Sequence, residues 1–217
     1  MDKTQLRILT IIEIVIAIMV VLLDVLIPTI IVLVMAVFSL LIRREKVQVL
    51  GLRKPNSWTS LIGWSFIFAF LLQLFDVGVL MPILNHLTGL RIEYSGFGAL
   101  QGNVQQMLVL LLIGWSLAAF GEEVVYRGYI QKLFGDLFGK SLWSVILSIW
   151  ISSLVFGLAH LEQGWIGVVV TIFDAVIFSL LKRKSDDNLW VSIFTHGFYN
   201  TIGIFAVFIM GPIYGLW

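Results

Sequence analysis

The length of its apolar stretches is the feature that most limits how this chain can fold. Seven stretches are long enough, or nearly so, to cross the roughly 30 Å hydrocarbon core of a bilayer. Hydrophobic residues make up 59% of the 217 residues and charged residues only 12%, which is not typical of a soluble domain. The sequence therefore predicts an all-α, polytopic transmembrane helical bundle of about seven spans. Their predicted limits are 6–23, 27–42, 58–80, 104–134, 142–161, 164–181 and 189–210.

The first two stretches are separated by Asp24 and Pro28. At 1.5 Å per residue, 6–42 is too long for one straight span, so we expect a tight helical hairpin. Met1–Arg7 is short and mildly basic, and Glu13 interrupts the apolar run that follows it. This pattern predicts an uncleaved first helix rather than a signal peptide, with Glu13 either snorkelling or near the end of a span.

The basic residues predict the orientation. With the N-terminus placed in the cytoplasm, 13 of the 14 Lys and Arg residues fall at or near the inner side and only Arg91 falls outside. This asymmetry follows the positive-inside rule. We therefore expect an integral protein of a prokaryotic plasma membrane, with a cytoplasmic N-terminus. The C-terminal segment 211–217 and a loop at 82–103, containing a short interfacial helix, are predicted to lie outside.

Composition also excludes several kinds of site. The chain has no cysteine, which rules out disulfides, Cys-ligated zinc, iron–sulfur clusters and a thiol nucleophile. The net charge of +1 gives no indication of nucleic acid binding. Membrane lipid is the partner that the apolar surface implies, and the oligomeric state is not predicted.

Charged and titratable residues nevertheless occur inside the later apolar stretches. They are Glu122, Glu123, Arg127, His160 and His196. A charge at the centre of a bilayer costs roughly 2.5–3.5 kcal/mol on insertion scales. Five such groups predict a polar cavity between the four C-terminal helices, and a cavity that holds Glu and His is suited to proton chemistry.

The adjacent glutamates are predicted to differ in role. Glu123 and Arg127 are spaced i and i+4, so they face each other on a helix and form an ion pair. Glu122 lies about 100° away around the helix and remains unpaired, as a general base requires. The alternative is a helix end that emerges into water with ordinary surface charges. Gly114, Ala118 and Gly121 form a small-residue stripe beside Glu122, which favours a position inside the bundle.

The histidines lie on two further spans. His160 shares a predicted helix face with Ser153, Phe156 and Gly157, whereas His196 and Asn200 are spaced i and i+4. Two hydrogen-bond donors on one face can hold a developing oxyanion. The alternative is a set of polar contacts that only clasp helices together. Asp174 could complete the cavity or orient a histidine, and Gln73 and Asp76 could be helix clasps.

The order of these motifs resembles a known family. Glu122-Glu123-x-x-x-Arg127-Gly128, Phe156-x-x-x-His160 and His196-x-x-x-Asn200 are similar to three motifs of the CPBP family of intramembrane proteases, the CAAX protease and bacteriocin-processing family, which includes type II CAAX prenyl endopeptidases. The resemblance covers about 104–205. Tyr126 stands where Phe is commoner in the family.

The resemblance implies an intramembrane endopeptidase acting on a membrane-associated, peptide or lipidated substrate, including prenylated CAAX-type proteins. It implies that Glu122 and His160 activate a water, that His196 and Asn200 stabilise the oxyanion, and that Glu123 and Arg127 support the site. Residues 1–103 would form N-terminal helices and an outer loop, and 104–217 the catalytic core of one membrane domain. No cofactor is required by this scheme. If zinc is used instead, Glu122, His160 and His196 would be its ligands.

Two other functions are compatible with these residues. The same fold could serve as a non-proteolytic scaffold or a bacteriocin-immunity protein, but all the catalytic positions are filled, which favours the enzyme. A transporter with a Glu/His proton relay is disfavoured because no internal repeat is visible.

The depth of the site residues in the membrane sets a geometric condition. The three site spans cannot bring Glu122, His160 and His196 to the same depth unless 128–141 lies partly outside the membrane core or the fourth and fifth helices protrude.

Overall fold

A computed structural model describes residues 1–93, 97–139 and 141–212, and within these ranges the chain is all-helical. The predicted fold class is confirmed, because each predicted span corresponds to one main helix. Lys140 and 213–217, on which parts of the predicted orientation depend, lie outside the described residues. The main helices are α1 (Lys3–Leu22), α2 (Pro28–Arg43), α3 (Trp58–Thr88), α4 (Val104–Phe138), α5 (Leu142–Leu158), α6 (Gly164–Lys184) and α7 (Leu189–Met210).

Five of these helices are long and apolar enough to cross a membrane: α1, α3, α4, α6 with the short turn before it, and α7. The other two, α2 and α5, are apolar but have only 16 and 17 residues, or about 24–26 Å at the α-helical rise. Large apolar side chains lie exposed along the outer faces of the helices. The chain is therefore an integral membrane protein.

The predicted N-terminal hairpin is present between α1 and α2. Asp24 and Leu26 adopt left-handed φ values of 48° and 54° in the turn, and Pro28 begins α2, where it sacrifices no helical hydrogen bond. Glu13 neither snorkels nor lies near a span end, the two placements predicted for it. It is buried and binds Arg43 through both carboxylate oxygens, at 2.9 and 2.5 Å. The ion pair forms because α2 brings Arg43 back beside the middle of α1.

The helix α3 continues further than the sequence indicated. It passes through a wide π-helical turn at Asp76–Leu80 and continues to Thr88, where Gly89 ends it in a left-handed conformation. The helical part of the predicted outer loop is therefore the end of α3 rather than a separate interfacial helix. Residues 94–96 of that loop lie outside the described ranges.

The helix α4 carries the charged motif and has an unusual geometry. Its 35 residues span roughly 50 Å at the α-helical rise, more than a hydrocarbon core requires. Its middle consists of widened π-helical turns over Gly114–Glu122 and Val124–Ile130, which are often found at functional sites. Because α4 is so long, the 128–138 part extends past the level of the polar residues, which resolves the geometric problem raised by the sequence.

Small residues let the helices approach closely around the site. A side chain at Gly157 on α5 would meet Ile172 of α6 at 2.3 Å, and one at Gly197 on α7 would meet the Trp115 ring of α4 at 2.4 Å. Trp115 also donates a hydrogen bond from Nε1 to Thr201 of α7 at 3.0 Å. These contacts fix α4 against α7, and α5 against α6, around the polar residues.

Candidate active site

The four candidate catalytic residues predicted from the sequence line one cavity of about 300 Å³. Glu122, His160, His196 and Asn200 all line it. The four C-terminal helices form its wall, as predicted. The cavity is also lined by Gln73 and Met81 of α3 and by Ile92 and Phe97 of the following loop, which the sequence did not predict.

Glu123 lies beside the cavity and is fully buried. Its Oε1 atom is 3.0 Å from Nη1 of Arg127, which confirms the predicted i, i+4 ion pair. The same oxygen is 3.0 Å from Nδ1 of His196. This second contact was missed, because the two residues are 73 positions apart and no local spacing indicates it. One carboxylate thus holds both a buried cation and a candidate catalytic histidine.

Arg127 is only 1% exposed, so it does not sit at a helix end in water. Its guanidinium carbon lies 4.4 Å from the centre of the Phe156 ring and 5.5 Å from that of Phe178, which are favourable cation–π distances. Its backbone carbonyl accepts a hydrogen bond from Nζ of buried Lys182. Arg127 and Lys182 are therefore packed inside the bundle and do not count as loop cations in the predicted orientation.

His160 is placed differently from the prediction. The helix α5 ends at Leu158, so His160 follows the helix instead of continuing its Ser153–Phe156–Gly157 face. Its Nδ1 lies 2.8 Å from the carbonyl oxygen of Phe156. A carbonyl oxygen only accepts, so this nitrogen carries the proton. In the neutral ring, Nε2 then keeps its lone pair and can accept a proton or a hydrogen bond.

His196 and Asn200 lie on one face of α7, as predicted, and both line the cavity. The Glu123 carboxylate accepts from Nδ1 of His196, so Nε2 is the nitrogen left for other chemistry. The Phe178 ring stacks on the His196 ring with a centroid distance of 5.1 Å. The Asn200 side chain packs beside Gly114, where an added Cβ would lie 3.8 Å from Cβ of Asn200.

Glu122 differs from Glu123 as the sequence predicted. Its Oε2 atom is buried, and none of the described residues gives it a hydrogen bond. Of the small residues near it, Gly114 faces Asn200 of α7 while Gly121 faces Thr29 of α2. The small-residue stripe therefore contacts two neighbouring helices, α7 and α2, because the wide turns of α4 rotate its members onto different faces.

A metal ion does not fit the side-chain positions. Within the described ranges, no group of three or more His, Cys, Asp or Glu side chains is placed to hold one ion. Glu122, His160 and His196 share the cavity but are not gathered around a common point. We derive no chemical step through a metal.

Two aspartates lie close to the site. Asp76 of α3 is completely buried and accepts a hydrogen bond at 2.8 Å from the hydroxyl of Tyr199. Asp174 of α6 lines the cavity and lies near Asp76. Asp174 completes the cavity, one of the two roles predicted for it, whereas no hydrogen bond joins it to a histidine among the described residues.

These features define a polytopic helical membrane protein with a buried, ionisable cavity, and comparison with known proteins specifies its class. Residues 104–202 match the family model described as Rce1-like, type II CAAX prenyl endopeptidase. This match confirms, over that segment of the chain, the resemblance to the CPBP/CAAX protease family that the motifs predicted.

The other comparisons are less informative. The chain is 35% identical over 105 residues to an uncharacterized protein of Mycoplasma capricolum subsp. capricolum. That alignment covers 46% of this chain, and the chain spans 28% of the length of that relative. No solved structure matches the chain.

Proposed function

We propose that this protein is an intramembrane endopeptidase that hydrolyses a peptide bond in a membrane-associated substrate, with prenylated CAAX-type peptides as the first substrates to test. The observation that carries the proposal is the division of labour between the adjacent glutamates. Glu123 is occupied by Arg127 and His196, whereas Glu122 presents an unpartnered carboxylate oxygen beside the cavity. The family match of residues 104–202 supports the same class of reaction.

In the proposed mechanism, Glu122 and His160 bind and activate a water molecule. Glu122 takes one proton from the water while Nε2 of His160 accepts a hydrogen bond from the other. The water oxygen forms a bond to the carbonyl carbon, and the carbonyl electron pair moves onto its oxygen. When the tetrahedral intermediate collapses, the C–N bond breaks and Glu122 returns its proton to the leaving nitrogen.

His196 and Asn200 would stabilise the oxyanion in this scheme. The Asn200 amide donates directly, whereas His196 donates from Nε2 only when both of its ring nitrogens carry protons. The Glu123 carboxylate against Nδ1 stabilises that charged ring. Glu123 and Arg127 therefore support the site by orienting His196 and balancing its charge, without contacting the substrate.

The test is cleavage of labelled peptides by the purified protein in detergent or nanodiscs. Matched peptides with and without a farnesyl group are incubated with the wild-type protein and with Glu122→Gln, and the products are identified by mass spectrometry. We expect the wild-type protein alone to produce two fragments from one peptide bond. If no peptide is cleaved, or if both proteins cleave equally, an endopeptidase centred on Glu122 is excluded.

A further inference from the structure

The backbone carbonyl of Arg127 lies in the wide π-helical turns of α4, at Val124–Ile130. In an α-helix this oxygen would accept a hydrogen bond from the backbone N–H of Gln131, four residues later. The Gln131 N–H instead bonds to the carbonyls of Tyr126 and Gly128. The wide turn therefore removes the α-helical partner of a carbonyl inside the bundle, where an unsatisfied acceptor is unfavourable.

A lysine on another helix supplies a donor to this carbonyl. Lys182 of α6 is only 8% exposed, and its Nζ donates a hydrogen bond to the backbone oxygen of Arg127. Burying a charged group in a membrane protein is costly, and no ion pair joins Lys182 to a carboxylate among the described residues. The hydrogen bond to the wide turn, rather than an ion pair, therefore accounts for the burial of this lysine.

The wide turn carries the residues that support the candidate active site. Nη1 of Arg127 is 3.0 Å from Oε1 of Glu123, and the same oxygen is 3.0 Å from Nδ1 of His196. A path of direct contacts therefore runs from Lys182 through Arg127 and Glu123 to His196, and it joins α6, α4 and α7. The proposed mechanism does not use Lys182, which lies outside the lining of the cavity.

The part of α6 that precedes Lys182 is fixed against both of the other helices. The Phe178 ring stacks on the His196 ring with a centroid distance of 5.1 Å. The hydroxyl of Ser179 accepts a hydrogen bond from Nε2 of Gln131 on α4 at 2.9 Å. Because α6 is held at this level, the hydrogen bond of Lys182 fixes the wide turn relative to His196.

We propose that Lys182 is a positioning residue for the proposed hydrolysis, because it holds the wide turn of α4 through which Arg127 and Glu123 orient His196. The effect on turnover rests on the proposed function, whereas the effect on the turn can be measured without it. Since Lys182 does not line the cavity, loss of its ammonium group should lower kcat and leave KM nearly unchanged.

The first measurement compares Lys182→Met, which removes the donor and the charge but keeps a long side chain, with Lys184→Met at the exposed last residue of α6. Both kcat and KM are determined with the peptide that the wild-type protein cuts, and kcat is normalised to the fraction of protein that binds this peptide. We expect Lys182→Met to lower kcat about tenfold or more with KM within about twofold, the pattern of a contact that matters only in the transition state. Lys184→Met should match the wild-type protein. An unchanged kcat, or a rise in KM that equals the loss of kcat, would overturn the inference.

A double-mutant cycle separates positioning from a general loss of stability. If Lys182 acts through His196, adding Lys182→Met to His196→Ala should change kcat by less than about twofold, because the effects of residues that act as a unit are not additive. The full loss of kcat in the His196→Ala background would show that Lys182 acts independently of His196, contrary to the proposal.

Amide hydrogen exchange of the purified protein tests the turn without any cleavage. Peptides that cover Val124–Ile130 should exchange about tenfold faster in Lys182→Met than in the wild-type protein, because a local opening of the turn becomes easier, and Lys184→Met should leave them unchanged. If Lys182→Met does not fold, Lys182→Gln replaces it, because its N–H donor lies one atom nearer its own backbone and reaches the carbonyl less well. Smaller changes in the same direction are then expected, and wild-type exchange and kcat would overturn the inference. If the wild-type protein cleaves no peptide, the proposed function fails, and unchanged exchange at this turn would separately disprove the role of Lys182.

Discussion

Glu123 Oε1 lies 3.0 Å from His196 Nδ1, so a carboxylate on α4 orients a histidine on α7. This single contact joins two of the three sequence motifs. It fixes the proton of His196 on Nδ1 and directs the chemistry to Nε2. It also distinguishes Glu123, whose Oε1 has two partners, from Glu122, which forms no ion pair and whose buried Oε2 receives no hydrogen bond among the described residues.

Glu122→Gln should abolish cleavage and leave the fold nearly intact. The substitution removes the proposed base but breaks no described hydrogen bond or ion pair at Oε2. Cleavage is measured with the peptide that the wild-type protein cuts in the test of the proposed function, and stability by thermal unfolding in detergent. A variant that retained more than about one tenth of the wild-type rate would exclude Glu122 as the base.

Glu123→Gln should lower stability as well as activity. The substitution leaves Arg127 as a buried charge without a counter-ion, and breaking one side of a buried ion pair typically costs about 3–5 kcal/mol. The matched control is Glu45→Gln, which removes a partly exposed carboxylate that binds Lys132 and should change the unfolding temperature little. Equal stability of Glu122→Gln and Glu123→Gln, with only the latter inactive, would reverse the two assigned roles.

Asn200→Ala should retain substrate binding but lose most of its turnover. Removal of one oxyanion-hole donor typically lowers the turnover rate by about 10²–10³. Turnover is measured as kcat for the wild-type protein and for Asn200→Ala. Binding of the same peptide is measured on the inactive Glu122→Gln variant and on the double variant Glu122→Gln, Asn200→Ala. Loss of binding with unchanged kcat would place Asn200 in substrate recognition instead.

Chelators should not inhibit the wild-type protein, because the proposed mechanism uses Glu122 and His160 directly on water. The measurement is the cleavage rate before and after prolonged treatment with EDTA or 1,10-phenanthroline, together with elemental analysis of the active preparation. If the active preparation contains one zinc per chain, and activity is lost when the zinc is removed and restored when it is returned, the mechanism is metal-dependent.

The predicted orientation can be tested by cysteine labelling, since the chain has no native cysteine. Glu162 and Asp186 are exposed and lie in turns at opposite ends of α6. If the N-terminus is cytoplasmic, a membrane-impermeant maleimide should label Glu162→Cys in intact cells and Asp186→Cys only after lysis. The opposite pattern would place the N-terminus outside and would contradict the inference from the basic residues.

The sequence by itself determined the helical membrane architecture and the identity of the motif residues. Apolar stretches of 16 residues or more have few alternatives in lipid, because their backbone groups must be hydrogen-bonded internally. The Glu123–Arg127 ion pair was predictable because its spacing of four residues is local to one helix. Glu122 could be assigned a separate role because its position about 100° further around the same helix is also local information.

Only the tertiary structure decided which distant residues meet. The contact of Glu123 with His196 and the approach of Asp76 to Asp174 join separate helices, and the end of α5 at Leu158 puts His160 in the turn before α6. These contacts depend on the relative translation and rotation of whole helices, which the wide turns of α4 and the close approaches at Gly157 and Gly197 set. The pattern within one helix does not encode these offsets, because packing against neighbouring helices determines them.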